Sequence, residues 1–254
     1  MLVIGGYSAY EGIYTMMTER DRYPAFRIPT VCIPASIDNN LPGSELSIGT
    51  DTALNVIVEA MDKIKESGIA SRRCFVVETM GRDCGYLALM SGIAAGAERI
   101  YTNEDGISLD DLANDVHWLR ESFAHGRRLF LAVRNENASH NYTTDFIARL
   151  LEEESHGMYD VRQVVLGHMQ QGGSPSPFDR LLANRLGYRA LNLIDDELAA
   201  HQDGSWFIGV NESGMRPCSM DTMPSLIDAA HRRPREQWWL QLRTIARMVS
   251  DEVR

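Results

Sequence analysis

The sequence predicts an α/β protein built on a doubly wound, mainly parallel β-sheet. Short apolar runs alternate along the chain with longer segments in which apolar residues recur at helical spacing. This alternation is typical of parallel sheets whose two faces are covered by helices. The chain has 254 residues, of which 44% are hydrophobic and 24% charged, which is enough for one large domain or two lobes with their own cores.

The elements follow one another in regular order. The apolar runs predict strands at 1–5, 29–34, 73–79, 98–102, 128–133, 161–167 and 205–210. The helical spacing predicts helices at 9–21, 49–67, 84–95, 108–124, 143–155, 178–194 and 235–250. Ser108, Thr143 and Thr144 are predicted helix caps, since a hydroxyl can accept a hydrogen bond from the first helical turn. The segment 211–224 is the one long irregular connection, and we expect an edge hairpin there.

Charge and cysteine content exclude several classes of protein. The net charge of −10 argues against nucleic acid or an anionic membrane as the main partner. The basic residues are nearly all arginine, so a single arginine is a weaker sign of phosphate binding than usual. The four cysteines show no CxxC spacing, which predicts reduced thiols in a cytoplasmic protein and no zinc site. The sequence shows neither a signal peptide nor an apolar run long enough to span a bilayer.

The stretch from Gly167 to Arg180 is the most informative part of the chain. The apolar run 164–166 before it predicts a short buried strand, and the glycines and amides after it cannot continue a regular element. Open α/β sheets bind small ligands at the carboxyl ends of such strands. The imidazole of His168, the amides and the free backbone N–H groups suit a phosphorylated polyol. The alternative for His168 is a loop histidine with satisfied hydrogen bonds.

A second polar segment, 34–45, follows the predicted strand at 29–34. Asp38 therefore lies at the carboxyl end of a strand, where a carboxylate can accept a hydroxyl proton. Ser36 and Asn40 are placed to orient a sugar. The alternative is an Asx-turn in which Asp38 caps the backbone.

Two further loops follow predicted strands. Gly81 and Gly85 expose the backbone at a helix N-terminus, and the Arg82 guanidinium can bind phosphate oxygens in a fork. The alternative is a glycine turn with a solvated Arg–Asp pair. Glu136, in the loop after strand 128–133, can accept hydrogen bonds from sugar hydroxyls or lie in an ordinary surface loop.

Two arginines lie at the other ends of strands. Arg73 and Arg162 stand at amino ends, so Arg162 and His168 cannot meet one ligand of the same subunit. If these arginines bind ligand, they reach into the site of a neighbouring subunit. The alternative for Arg162 is an interface salt bridge.

Together these segments resemble the phosphofructokinase family over nearly the whole chain. The motifs that carry the resemblance match in order and spacing, and they are Ile37-Asp38-Asn39-Asn40, Met80-Gly81-Arg82 and the segment 166–180. The tail 231–239 is similar to the end of the carboxyl-terminal half of the large eukaryotic enzymes. The resemblance implies one unit with two lobes, 1–48 plus 170–254 and 49–169. It also implies a glycolytic kinase that moves the γ-phosphate of ATP to O1 of fructose 6-phosphate, with Mg²⁺, in a homo-oligomer (dimer or tetramer).

The resemblance also implies roles for individual residues. Asp38 matches the base that takes the O1 proton, and Arg82 matches an arginine that steadies the transferring phosphoryl group. Arg73 and Arg162 match arginines donated across the subunit interface to the 6-phosphate. The other expected sugar-phosphate contacts are Ser36, Asn40, Met80, Gly81, Glu136, His168, Gln171 and Arg232. Gly5 and Gly6 match what remains of the nucleotide-side turn.

The departures from the family pattern leave two function classes open. Tyr7 replaces the carboxylate that the family associates with magnesium, Asn40 replaces a second carboxylate, and Gln171 replaces an arginine. The family's upstream ATP-binding loops are absent, and the abrupt initial strand predicts a fragment or one half of a longer polypeptide. We therefore expect no metal ligands in this chain, and weak or no turnover of ATP and fructose 6-phosphate by this chain alone. The chain is predicted to be part of an active 6-phosphofructokinase or a regulatory module that binds fructose 2,6-bisphosphate.

Overall fold

The computed structural model describes residues 1–68, 70–211 and 213–249. The chain forms two compact units. The first comprises Met1–Thr52 and Ser174–Trp238, and the second comprises Ala53–Gly173 and the tail that begins at Trp239. The predicted lobes placed this tail with the first unit. It joins the second because the buried Trp239 ring packs edge-on against Tyr86, with 5.8 Å between the ring centroids.

Strands and helices alternate as predicted. The strands are Leu2–Gly5 (β1), Thr30–Pro34 (β2), Arg73–Thr79 (β3), Arg99–Tyr101 (β4), Leu129–Asn135 (β5), Asp160–Val165 (β6), Ser205–Asn211 (β7), Gly214–Ser219 (β8), Ile227–Asp228 (β9) and Arg233–Pro234 (β10). The α-helices are Tyr7–Thr18 (α1), Thr50–Gly68 (α2), Tyr86–Ala95 (α3), Leu109–Ala124 (α4), Thr144–Glu153 (α5), Pro177–Ala199 (α6), Met223–Leu226 (α7) and Arg243–Val249 (α8). Short 3₁₀ helices occur at Pro24–Phe26, Gly167–Gln171, Met220–Thr222 and Trp238–Leu242.

The first unit has a sheet in the order β1-β2-β7-β8. β1, β2 and β7 run parallel, while β8 returns antiparallel to β7 and forms the expected edge hairpin. Successive side chains of a strand point to opposite faces. Cys32 accordingly packs in the core with α1, and its neighbours Val31 and Ile33 pack with α6. Both faces of the sheet are thus covered, as in a doubly wound fold.

The second unit has a fully parallel sheet in the order β4-β5-β3-β6. Its main core is formed by β3 and β5 with the apolar faces of α4 and α5, including Phe123 and Ile147. The prediction of a buried strand over 161–167 is wrong at its end. β6 lies at the sheet edge and stops at Val165, whose side chain is 60% exposed. The chain then turns into the 3₁₀ helix Gly167–Gln171.

Helix starts agree with the capping signals at Ser108 and Thr143, but the prediction that Thr144 is a cap is wrong, because Thr144 is the first residue of α5 and its hydroxyl donates to the Glu78 carboxylate. Ser108 and Asp111 form a complete capping box at α4, and the Thr143 hydroxyl accepts from Phe146 N at 3.2 Å. The final predicted helix, 235–250, is wrong in its first part. The segment 238–242 is 3₁₀ and the α-helix begins only at Arg243, while residue 250 lies outside the described residues. Within those residues, no helix combines the length and the apolar character needed to cross a membrane.

The cysteine thiols provide a first test of this fold. All four are free, and Cys32, Cys74 and Cys84 are buried. Burial raises the pKa of Cys32 to about 12 and raises that of Cys74 well above its usual range. Because the thiolate is the reactive species, we expect an aromatic disulfide reagent at pH 8 to modify at most the half-buried Cys218 in the folded protein. All four thiols should react in denaturant, and fast release of two or more equivalents without denaturant would contradict the packing.

Candidate functional site

The segment after β2 carries the first group of predicted site residues, all in the first unit. Asp38 is half-buried, and its backbone N–H donates to the Ser36 hydroxyl at 3.3 Å. The same hydroxyl lies 3.3 Å from Oδ1 of Asn40, whose Nδ2 donates to the carbonyl of Arg232 at 3.0 Å. The structure therefore brings Ser36, Asn40 and the Arg232 backbone together around the turn that presents Asp38.

Asn39 fixes this turn, and the sequence analysis gave it no role. It is buried and left-handed, with φ of 52°. Its Nδ2 donates to the Glu45 carbonyl at 2.7 Å, and its Oδ1 accepts from Ser47 N at 2.9 Å. Asparagine adopts the left-handed region more readily than most residues, so its place beside Asp38 was a usable signal. By closing the loop 39–47, Asn39 holds the preceding carboxylate at the strand end.

The glycine turn after β1 lies beside the same segment. Ala35 N donates to the Gly5 carbonyl at 3.1 Å, and a Cβ on Gly6 would meet the Cβ of Ser36 at 3.6 Å. The next residue, Tyr7, begins α1, and the Arg232 guanidinium lies 5.6 Å from its ring centroid. Burial, followed by the nearby Glu11 carboxylate, raises the pKa of Tyr7. The neutral phenol of Tyr7 thus stacks with the Arg232 guanidinium at the carboxyl end of β1.

The turn after β3 carries the second group, in the second unit. Gly81 has φ of 129°, and a Cβ there would lie 2.4 Å from the Cys84 carbonyl oxygen, so only glycine fits. The backbone N–H groups of Gly81 and Arg82 both donate to Oε1 of Glu136, at 3.2 and 2.7 Å. The Arg82 side chain is exposed. Glu136 thus shapes the turn that presents Met80, Gly81 and Arg82.

Arg134 anchors the loop that carries Glu136. Its side chain is 2% exposed, and its guanidinium donates to Glu78 Oε2 at 2.9 Å. It also donates to the carbonyls of Glu136, Ser139 and Tyr142, at 3.0, 2.6 and 3.2 Å. Burial lowers the pKa of Arg134, and the Glu78 carboxylate opposes that shift. The sequence analysis assigned a role in this region only to Glu136, whereas the structure shows that Arg134, near the end of β5, holds the loop in place.

Gln170 connects the Met80 turn to the segment after β6. It is buried, its Oε1 accepts from Met80 N at 3.1 Å, and its Nε2 donates to the Gly167 carbonyl at 2.9 Å. His168 and Gln171 lie exposed on the same 3₁₀ helix. The sequence analysis stressed these two residues and missed Gln170 between them. Of the two neighbouring glutamines, Gln170 is buried and Gln171 is exposed, and the sequence alone does not indicate which of them is buried.

Arg73 and Arg162 lie away from these turns. Arg73 is the first residue of β3 and pairs in register with Asp160, the first residue of β6. Arg162 is two residues further along β6, and its exposed guanidinium lies 3.7 Å from the Asp160 carboxylate. His168 follows the opposite end of β6. The two arginines therefore share the amino-end side of the sheet, as expected.

Metal ligands do not assemble around these residues. In the part of the chain that the structure describes, no three His, Cys, Asp or Glu side chains come together as a metal site. Tyr7 and Asn40 offer neutral groups, whereas Mg²⁺ is usually bound through one or two carboxylates together with phosphate oxygens. The residues present do not fit the magnesium that the family resemblance implies, so we derive no step through this ion.

Fold and site residues together define a class of protein. Two doubly wound units carry amides, a carboxylate, glycine turns and an arginine at the carboxyl ends of parallel strands, as α/β proteins that bind small phosphorylated ligands do.

Comparison with known proteins identifies the family within that class. Residues 1–194 match the sequence model of the Phosphofructokinase family, and the chain belongs to this family. It is 42% identical over 260 residues to the rat platelet-type ATP-dependent 6-phosphofructokinase, covering 98% of this chain and 33% of the relative. It is 42% identical over 261 residues to the human muscle type, covering 98% and 34%. The phosphofructokinase structure from Saccharomyces cerevisiae superimposes with a TM-score of 0.95 at 34% identity, covering 99% of this chain and 35% of the other. The chain therefore spans about a third of the length of these relatives.

Proposed function

We propose that the chain carries the sugar-phosphate side of an ATP-dependent 6-phosphofructokinase, a glycolytic enzyme of the cytoplasm. The identity of 42% to enzymes of that name, over 98% of the chain, is the observation that carries the proposal. The retained Asp38 and Arg82 support it. The substrates of the whole protein would be ATP and fructose 6-phosphate, and its products ADP and fructose 1,6-bisphosphate.

In this proposal the two units contribute different chemistry. In the first unit, the Asp38 carboxylate takes the proton of the sugar O1 hydroxyl as O1 forms its bond to the γ-phosphorus and the bond to the leaving ADP breaks. Ser36, Asn40 and Arg232 orient the sugar. In the second unit, Arg82 stabilises charge on the moving phosphoryl group. Met80, Gly81, Glu136, His168 and Gln171 contact the sugar phosphate.

We further propose that the protein is a homo-oligomer in which Arg73 and Arg162 serve the ligand of a neighbouring copy. Their separation from His168 along β6 supports this assignment. Guanidinium groups make strong charge-assisted hydrogen bonds to phosphate.

Thermal denaturation with and without ligand tests the sugar-phosphate assignment. We expect fructose 6-phosphate or fructose 2,6-bisphosphate to raise the Tm of the chain, because a ligand that binds only the folded state stabilises it. Arg162→Ala should remove the shift and leave the Tm without ligand nearly unchanged, since its ion pair with Asp160 is exposed. Arg149→Ala is the matched control, because Arg149 also has an exposed ion pair, with Asp145 at 2.9 Å. Equal ligand shifts in all three proteins would refute the assignment.

A regulatory module that binds fructose 2,6-bisphosphate without phosphoryl transfer is the second candidate. Tyr7 and Gln171, together with the missing metal ligands among the described residues, favour it for the chain taken alone. A base without a positioned phosphoryl donor gives little acceleration, because most of the catalysis is positioning and electrostatics.

A coupled assay on the 254-residue chain separates the two candidates. We expect sugar-phosphate binding with little or no formation of fructose 1,6-bisphosphate, whereas a full-length parent protein should be active. Robust turnover by the chain that disappears in Asp38→Asn would show that the residues present suffice for catalysis.

A further inference from the structure

The second unit contains a cavity of about 390 Å³. It is bordered by β4 at the edge of the sheet, by the loop that follows β4, and by the helices α4 and α8. None of the residues proposed for the sugar phosphate is among those that line it. Its size lies in the range of sites that bind small molecules. The cavity is therefore a separate candidate site, whose ligand must be judged from the groups in its walls.

Helix α8 brings hydrogen-bond donors to the cavity. Arg243, its first residue, lines the cavity, and Nη2 of its guanidinium lies 2.9 Å from Oδ1 of Asp105 in an ion pair. Nevertheless Nε and Nη2 are both buried, and neither makes a hydrogen bond of good geometry with the described residues. Buried donors in folded proteins are nearly always hydrogen-bonded. The Arg243 guanidinium thus indicates an acceptor that the described part of the chain does not supply.

Helix α4 brings a carboxylate to the same cavity. Oδ2 of Asp111 accepts from the Ser108 N–H at 2.9 Å and from the Ser108 hydroxyl at 2.6 Å. These hydrogen bonds lower the pKa of Asp111, so the carboxylate is ionised at neutral pH. Oδ1 of Asp111 accepts no hydrogen bond from the described residues. Asp115, one turn further along α4, also lines the cavity, but its carboxylate already accepts from Arg99 and from the Tyr101 hydroxyl.

The walls therefore offer one group for a negative charge and one for a positive charge. A ligand with only a negative charge would lie beside the Asp111 carboxylate, and a ligand with only a positive charge would lie beside the Arg243 guanidinium. Like charges placed together in this way are unfavourable. Apolar side chains complete the lining, and they include Leu89 of α3, Ile100 of β4 and Ala246 of α8.

We propose that this cavity binds a small zwitterion, an α-amino acid with an aliphatic side chain. The carboxylate of the amino acid accepts from Nε and Nη2 of Arg243, in the charge-assisted geometry that guanidinium groups favour. Its ammonium donates to Oδ1 of Asp111. Its side chain lies against Leu89 and Ile100. This site is independent of the sugar-phosphate chemistry proposed above.

Isothermal titration calorimetry of the chain with L-leucine tests the class of ligand. Isocaproate has the same carbon skeleton without the ammonium, and isoamylamine has it without the carboxylate. We expect leucine to bind and each analogue to bind at least about tenfold more weakly, because each loses one charge-assisted contact. Isocaproate binding as tightly as leucine would make the cavity an anion site, and isoamylamine binding as tightly would make it a cation site. Either result, or no binding of leucine, would overturn the proposal.

Two substitutions test whether leucine binds in this cavity. Arg243→Gln should weaken leucine binding at least about tenfold. Its matched control is Arg149→Gln, because Arg149 also pairs with an aspartate at 2.9 Å but does not line the cavity. Asp111→Asn should weaken binding by a similar factor while keeping an oxygen that can cap α4. Its control is Asp145→Asn, in the first turn of α5.

Both controls should bind leucine like the wild type. An unchanged leucine affinity in either cavity variant, or an equal loss in its control, would overturn the proposal. The Tm shift with fructose 6-phosphate, measured on the same variants, reports separately on the proposed sugar-phosphate site.

Discussion

Replacing Arg134 with methionine is expected to lower the free energy of unfolding by about 3–5 kcal/mol. Methionine keeps much of the length but removes every donor. The Glu78 carboxylate loses its buried counter-charge, and the carbonyls of Glu136, Ser139 and Tyr142 lose their hydrogen bonds inside the protein. Urea denaturation followed by circular dichroism measures the loss.

Arg149→Met provides the control for this experiment. The Arg149 side chain is exposed and, within the described residues, pairs only with Asp145 four residues earlier, so its removal should cost less than about 1 kcal/mol. Similar losses in the two variants would contradict the anchoring role of Arg134.

Arg134→Lys should show a functional consequence as well. Lysine keeps the charge but not the fork of donors that reaches several carbonyls at once. The loop of Glu136 is then less well held, and with it the turn of Gly81 and Arg82. We expect this variant to remain folded and to show a smaller Tm shift with fructose 6-phosphate than the wild type. An unchanged shift would show that Glu136 does not depend on Arg134.

Replacing Asp179 with alanine is expected to cost about 3 kcal/mol of stability. Asp179 is 2% exposed and joins the first turn of α6 to the first turn of α2. Its two oxygens accept from Gly49 N and Thr52 N, both at 2.8 Å, and from the Thr52 hydroxyl. A carboxylate at the N-termini of two helices also interacts favourably with both helix dipoles. Alanine leaves these partly buried donors without the Asp179 acceptor.

Asp111→Ala is the control for Asp179. It removes a carboxylate from the exposed capping box of α4 and should cost about 1 kcal/mol. Asp179→Asn should destabilise the protein nearly as much as Asp179→Ala. The amide nitrogen of asparagine is itself a donor, and it would face a backbone N–H that now donates to a carboxylate oxygen. Chemical denaturation of the three variants ranks their free energies of unfolding. A loss for Asp179→Ala no larger than that for Asp111→Ala would show that the bridge between the two helix starts contributes little.

The sequence by itself determined the fold class and the positions along the chain of the residues proposed for the site. Residue periodicity reports which face of an element is buried, and this local information sets most strands and helices. Capping residues act within one helical turn, so the caps Ser108 and Thr143 could also be predicted from the sequence. The motifs around Asp38, Arg82 and His168 could be placed after strand ends because the strands before them were predicted from local apolar patterns. The resemblance of these motifs to phosphofructokinases is confirmed by the family match.

Only the tertiary structure decided how those residues are held and which surfaces remain free. Arg134 and Gln170 act through partners that are close in space but distant or unremarkable in sequence, such as Glu78 and Met80. The exposure of β6 depends on its place at the edge of the sheet. An apolar run in the sequence does not show whether a strand lies at the edge or in the centre of a sheet. Helix α6 carries apolar residues on two faces, but the sheet covers only one of them. Burial depends on which elements pack together, and that is a property of the assembled fold rather than of any local pattern.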